Sequence, residues 1–324
     1  MKKAGKVILS ILGILIVAIA AVGIYVKKAL PNVGPAADLT VQITPVRLER
    51  GRYLCTNVAA CLVCHSTRDT GVYAGPVKQG TLGRGGELFG PEEGLPGKIY
   101  ASNLTPYGLG KWTDGELFRA ITTGVSRDGH ALFPLMNYPA YGQLDEEDIF
   151  SMIAYVRTLP SITNDVSPTQ LDFPVNFIVN TIPAKAHLAS LPDSDNAVAY
   201  GKYLVTMASC VDCHTEVDKG KFKPGMEFAG GRDFSVSGRK PLYSANITPD
   251  KETGIGNWTR ELFIHKFQQY RDSGYVPRPV GVGEANTPMP WVAYAGMKES
   301  DLAAIYAYLR TVKSIVHVVV RNAP

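Results

Sequence analysis

Two pentapeptides carry the chemistry of this chain. Cys61-Leu62-Val63-Cys64-His65 and Cys210-Val211-Asp212-Cys213-His214 both read C-x-x-C-H. At that spacing two thiols stand one helical turn apart, and each can add to a vinyl group of one haem. The adjacent imidazole then faces the iron from the proximal side. Two other readings are weaker. A thioredoxin-like C-x-x-C needs a βαβ setting, which the pattern does not supply. Zinc needs four nitrogen or sulfur ligands per site. Pooling the motifs would provide them, but the repeated loops downstream would then have no role. The expectation is two covalently bound haem c groups, one on Cys61 and Cys64 and one on Cys210 and Cys213, with His65 and His214 as axial ligands.

The sixth iron position calls for methionine or histidine. Met136 and Met289 occupy matched loops, each beside proline, in Phe133-Pro134-Leu135-Met136 and Pro288-Met289-Pro290. Proline fixes the backbone and suits a loop that presents a ligand. Met152, Met207, Met226 and Met297 have no loop counterpart in the other copy and read as core fillers. His130, in a Gly-rich turn, and His265, on a helix, compete as ligands but do not align. His187 and His317 have no repeat partner. Met136 and Met289 are therefore the expected axial ligands. A Met/His pair raises the reduction potential and fills both axial sites. Electron transfer rather than catalysis follows, and no catalytic residue is assigned. No nucleotide-binding glycine fingerprint or hydrolase triad stands in a recognisable context.

These residues sit in a repeat. GRYLCTNVAACLVCH from Gly51 matches GKYLVTMASCVDCH from Gly201. ASNLTP (101–106) matches SANITP (244–249), and GLGKWTDGELF (108–118) matches GIGNWTRELF (254–263). LFPLMNYPAY (132–141) echoes TPMPWVAY (287–294), and DIFSMIAYVRTL (148–159) matches DLAAIYAYLRTV (301–312). The order is the same throughout, which means two copies of one fold. Each copy reads as mostly helical. An opening helix ends at the cysteine pair, and a middle helix follows Trp112 or Trp258. In the first copy that helix has a capping box, Thr113 with Glu116, and a stop at Gly124. The last helix carries acids in its first turn, Asp145 to Asp148, with Ile149, Ile153, Val156 and Leu159 on one face and Pro160 after it. Its counterpart starts at Ser300 and runs through Leu302, Ile305, Leu309 and Val312. Gly51 and Gly201 are placed to allow close crossing with Tyr155 and Tyr308 on these last helices. The Gly/Pro-rich stretches 71–100 and 220–245 need something large and rigid to pack against. Asn103 and Asn246, with Thr105 and Thr248, fit a glycosylation sequon, but a repeated Asn-x-Thr-Pro reads better as a turn. These residues, and Trp112 and Trp258, either touch the haem or pack the loops. Cys55 aligns with Val205 and reads as a small buried position.

Charge and hydropathy place the copies. The 324 residues hold 33 cations against 29 acids, a net charge of +4. Five of the lysines lie within residues 1–30, which leaves 28 cations against 29 acids elsewhere. No basic surface for nucleic acid is implied. Val7 to Val26 is an uncharged apolar run of 20 residues. That length spans a hydrocarbon core and exceeds the apolar region of a secretory signal. Three lysines and the amino terminus precede it, which favours the N-terminus inside. The expected organisation is a membrane anchor at 1–28, a tether at 29–46, haem domains at 47–160 and 197–315, a connector at 161–196 and a tail at 316–324. The apolar middle of the connector predicts packing on the domains.

The repeated run resembles tandem class I cytochrome c domains. More narrowly, it is similar to the cytochrome subunits of membrane-bound bacterial alcohol and gluconate-type dehydrogenases. Those subunits usually carry three C-x-x-C-H motifs and a C-terminal anchor; this chain shows two motifs and an N-terminal apolar segment. The resemblance implies haem on the four motif cysteines, with His65, His214, Met136 and Met289 as axial ligands. It implies a mostly α fold of two tandem helical domains with long haem-packing loops. It also implies a carrier in the cytoplasmic membrane with its haem domains on the periplasmic side. A dehydrogenase or quinol-oxidising complex would be the donor, and an oxidase or soluble cytochrome the acceptor. The alternatives are a dihaem enzyme such as a peroxidase, or a haem-bearing subunit that anchors a dehydrogenase.

Overall fold

The computed structural model describes residues 2–272 and 274–320. Met1 of the expected anchor and residues 321–324 of the expected tail lie outside them. The chain opens with α1 (Lys2–Ala29), a helix long and apolar enough to cross a membrane. Twenty-eight residues give about 42 Å of helix, more than the roughly 30 Å of a hydrocarbon core. The following segment does not hang free. The Val41 amide donates to Asp114 (2.8 Å), and a Cβ on Gly115 would meet the Ala37 carbonyl at 1.8 Å.

The first half then runs α2 (Pro45–Tyr53), α3 (Cys61–Cys64), α4 (Asp114–Thr123), α5 (Tyr138–Tyr141) and α6 (Glu146–Val156). The connector contributes α7 (Val175–Ile178). The second half repeats the order with α8 (Ala197–Met207), α9 (Cys210–Cys213), α10 (Arg260–Gln268), α11 (Trp291–Tyr294) and α12 (Glu299–Leu309). Strand is scarce. β1 (Leu88–Phe89) pairs antiparallel with β2 (Gly97–Tyr100), and β3 (Gln170–Leu171) of the connector adds to β2, with Gly97 opposite Leu171. β4 (Val217–Asp218) and β5 (Lys221–Phe222) form a small hairpin.

Local chemistry explains the helix ends. Thr113 Oγ1 accepts from the Glu116 amide, and Glu116 accepts from the Thr113 amide, so the capping box closes. Gly124 ends α4 with φ +75°, a left-handed stop. The opening helices depart from the expected continuous run. After α2 the chain makes a π turn at Leu54–Val58, and Ala60 takes φ +51° before α3. Ser209 takes φ +56° between α8 and α9. Each C-x-x-C is thus a separate helical turn set at an angle to the helix before it.

The opening and closing helices of each half cross at contact distance. A Cβ on Gly51 would sit 1.8 Å from the Ser151 carbonyl and 2.9 Å from Tyr155 Cβ. On Gly201 it would sit 1.9 Å from the Ala304 carbonyl and 3.0 Å from Tyr308 Cβ. One continuous apolar core runs through both halves, with Leu54, Val58, Ile149 and Ile153 from the first and Leu204, Met207, Leu302 and Ile305 from the second.

The halves meet through a reciprocal polar pairing. Tyr53 donates to Asp301 (2.6 Å), and its repeat equivalent Tyr203 donates to Asp148 (2.7 Å). Each tyrosine oxygen also accepts a backbone N–H from the other half, Lys298 for Tyr53 and Asp145 for Tyr203. The two halves are therefore related by a pseudo-two-fold axis at this contact. The connector is pinned by β3 and by buried Val179, but its middle turns outward, with Phe173 80% and Ile178 50% exposed.

Candidate haem-binding site

Each motif histidine is oriented from behind. His65 Nδ1 bonds the Ser102 carbonyl (2.8 Å), and His214 Nδ1 bonds the Ala245 carbonyl (2.8 Å). A ring nitrogen held by a carbonyl fixes the tautomer and aims Nε2, as in well-built metal sites. Burial holds the His65 imidazole below its ordinary pKa, partly offset by the Ser102 carbonyl, which favours the neutral form that ligates metal.

The repeated Asn-x-Thr-Pro builds the ledge behind the histidine. Asn103 Oδ1 accepts from the Thr105 amide (2.9 Å) and hydroxyl (2.7 Å), and its Nδ2 donates to the Ile162 carbonyl. Asn246 makes the same two bonds to Thr248, and its Nδ2 donates to Ile315. Both side chains are about 5% exposed, so these residues form a locked turn, not a glycan acceptor. The turn directly follows the carbonyl that holds each histidine. Gly85 (φ +69°) and Gly230 (φ +76°) pack on this ledge: their amides donate to the His65 and His214 carbonyls, and a Cβ on either would lie 2.5 Å from it.

Cys64 and Cys213 are accessible to solvent, and Cys61 and Cys210 are partly so. Yet each is crowded by protein. Burial raises the Cys64 thiol and pushes Cys210 up to about 12 and Cys213 up to about 11. Cys61 differs, because it interacts with the Cys55 thiol, which lowers Cys61 and raises Cys55, while the Cys55 thiol donates to the Met152 carbonyl (3.9 Å). Cys55 itself is 1% exposed, matching Val205 at 3%. Two thiols on one helical turn, an imidazole oriented by a backbone carbonyl and the apolar core beside them fit a covalently held haem.

Met136 and Met289 are half-buried and pack against the core, each just before a short helix. Their carbonyls accept equivalent bonds, from Tyr138 (2.6 Å) and Trp291 (2.8 Å). Met152, Met207 and Met297 are buried to 2% exposure or less, as core fillers should be. His130 lies at the surface, paired with Asp128 and Ser126, and His265 is exposed on the last turn of α10. His317 holds the Ala229 carbonyl from the tail (2.9 Å). His187 lines a separate cleft of about 490 Å³ between connector and α8, with Lys185, Lys202 and Tyr203. Trp112 and Trp258 pack on the core.

Two features escape a reading of motifs. Tyr141 and Tyr294 are matched and buried; burial pushes both phenols well up, Tyr141 also feels Cys61, Cys64 and Cys55, and Tyr294 feels Cys210, Cys213 and Cys64. The repeated Ala-Tyr of the methionine loops was their visible signal. Asn137, next to Met136, donates across the halves to Ser209 (2.8 Å) and Asp212 (2.6 Å), inside and beside the other motif. Pro290 occupies the equivalent place after Met289 and cannot do this. The methionine loop of the first half thus touches the motif turn of the second.

The chain is mostly helical, and residues 198–313 match the family model for cytochrome c. A cytochrome c domain implies covalently bound haem c. Among curated relatives, the cytochrome c subunit of a quinone-dependent alcohol dehydrogenase from Gluconacetobacter polyoxogenes is 27% identical over 87% of this chain and 59% of its own length. The cytochrome subunit of fructose dehydrogenase from Gluconobacter japonicus is 30% identical over 82% of this chain and 52% of its own. A diheme cytochrome c-type protein from Cereibacter sphaeroides is 26% identical over 79% of this chain and 82% of its own. The chain thus spans a little over half the length of the two dehydrogenase subunits.

Proposed function

We propose that this chain is a dihaem electron carrier built from two tandem cytochrome c domains. It would be held at the membrane by α1 with both domains on the periplasmic side. Cys61 and Cys64 hold one haem c and Cys210 and Cys213 the other, with His65 and Met136, and His214 and Met289, as axial ligands. When bound, the haems supply one-electron redox chemistry. The chain's own residues do the rest. Ser102 and Ala245 hold the imidazoles in one tautomer, and the Asn-Thr turns keep those carbonyls in place. The observation that carries the reading is this duplicated cradle, present bond for bond behind both motifs.

The names of the relatives support a dehydrogenase as the electron donor. An oxidase or soluble cytochrome would be the acceptor. The bonds from Asn137, beside Met136, to Ser209 and Asp212 of the second motif turn support transfer between the two haems within one chain. Filled axial sites on both irons favour a carrier over a dihaem peroxidase.

The test is spectroscopic. Purified ferric protein should hold two haems per chain and show the weak near-infrared Met-to-iron band. Met136→Ala and Met289→Ala should each remove about half of it, as expected for one axial ligand per iron. One haem per chain, or a band untouched by both substitutions, sinks the assignment. Peroxide turnover by the wild-type protein at enzyme-like rates would favour the peroxidase.

A further inference from the structure

The connector offers a surface that the carrier role leaves unused. Residues 173–183 carry no charge, and Phe173 and Ile178 project from the protein, 80% and 50% exposed. Phe173 and Phe177 meet edge to face, with ring centroids 6.2 Å apart. Large apolar side chains grouped in this way on a surface mark an interaction site.

Position identifies the partner. α1 packs against α7 and against the 3-10 turn Val179–Thr181. Lys27 Nζ lies 5.8 Å from the Phe177 ring centroid, a cation–π contact. Lysines at the end of a spanning helix reside at headgroup level. If Lys27 and Lys28 mark that level, Phe177 shares it, and the exposed apolar residues of the same short segment face the bilayer. The segment is presented firmly, because β3 ties it to β2 and the stretch after α1 is bonded across α4.

We propose that residues 173–178 insert into the headgroup–acyl boundary of the outer leaflet, giving the haem domains a second attachment beside α1. One helix alone leaves a domain free to swivel about the membrane normal and to tilt. A second contact removes the tilt and presents one fixed face of the domains to partners in the membrane plane. This rests on the membrane-anchor part of the reading above, and the experiment separates the two.

The full chain is reconstituted into phosphatidylcholine–phosphatidylglycerol vesicles. Nitroxide labels are placed through Phe173→Cys, Ile178→Cys and, as a control, Val282→Cys, which is fully exposed in the second half. Cys55 is buried, and the motif thiols are consumed if haem is attached, so only the new thiol reacts. With the haems left ferric, so that no reductant consumes the label or the oxygen, the added relaxation from oxygen and from a water-soluble nickel chelate gives depth. The ratio of oxygen to nickel collisions should be several-fold higher at 173 and 178 than at 282, as for groups about 5–10 Å below the headgroups. Equal ratios at the three positions, in protein that resists an alkaline carbonate wash, overturn the second contact and leave the anchor standing. Protein released by the wash overturns both.

Discussion

Asp148 and Asp301 are repeat equivalents with unequal burdens, and their replacement by alanine should expose the difference. Both are 4% exposed, and both accept a tyrosine hydroxyl from the other half. Asp148 additionally binds Arg50 through two bonds of 2.7 Å, while Tyr200 occupies the place of Arg50 in the second half. Burial opposes the Arg50 charge, yet the Asp148 carboxylate more than offsets it and lifts the guanidinium above its ordinary range. Asp301→Ala loses a buried bond to a carboxylate, about 2 kcal/mol. Asp148→Ala loses the same and also strands Arg50. An unpaired buried cation costs about 3–5 kcal/mol. The Arg50 side chain is 22% exposed, so about 2 kcal/mol of that is retained here. The total is about 4 kcal/mol for Asp148→Ala against about 2 kcal/mol for Asp301→Ala. Guanidinium unfolding of the haem-loaded protein in detergent, followed by Soret dichroism, measures both. Tyr203→Phe should fall with Asp301→Ala, because it leaves Arg50 paired. Equal losses for the two aspartates, or a larger loss at Asp301, would refute the reasoning.

Gly51→Ala and Gly201→Ala should each cost at least about 2–3 kcal/mol in the same unfolding assay, because the new methyl meets backbone and not a flexible side chain. Variants that unfold like the wild type would mean that the helices can move apart cheaply. Asn103→Ala removes the Asn–Thr turn behind His65 and should cost about 2 kcal/mol, with the near-infrared band fading at a lower temperature for one haem only. Symmetrical fading of both haems would contradict a local role. Cys55→Val copies the other half and should change stability by less than about 1 kcal/mol, with haem stoichiometry unaltered. Loss of a haem in this variant would show that the Cys55–Cys61 thiol contact serves attachment.

Much of this was legible in the sequence where the signal is local. The Thr113–Glu116 box, the Gly124 stop and the glycines facing Tyr155 and Tyr308 depend on spacing within one helix or on a repeated small residue, and the structure has each of them. The break before each C-x-x-C was not legible. Ala60 and Ser209 are ordinary residues in a left-handed conformation, held there by what packs around them. The Asn–Thr pairs were visible as a repeat, but their task was not, since it depends on a histidine far away in sequence. The Tyr53–Asp301 and Tyr203–Asp148 pairs lie deeper still. Each residue reads as part of its own helix, and only the docking of the halves brings them together.

That reciprocal contact has the form of a homodimer. Residue pairs across it are swapped, as in an interface between two identical subunits, and α5 and α11 each lean on the opposite half. Here the two copies of the repeat are joined through the connector, so the contact forms within a single chain. Once joined, the two sides were free to diverge, which a true dimer forbids. Arg50 facing Tyr200, and Asn137 replaced by Pro290, are changes that only a fused pair can keep on one side. Fusion therefore makes the surroundings of two initially equivalent C-x-x-C-H turns separately tunable.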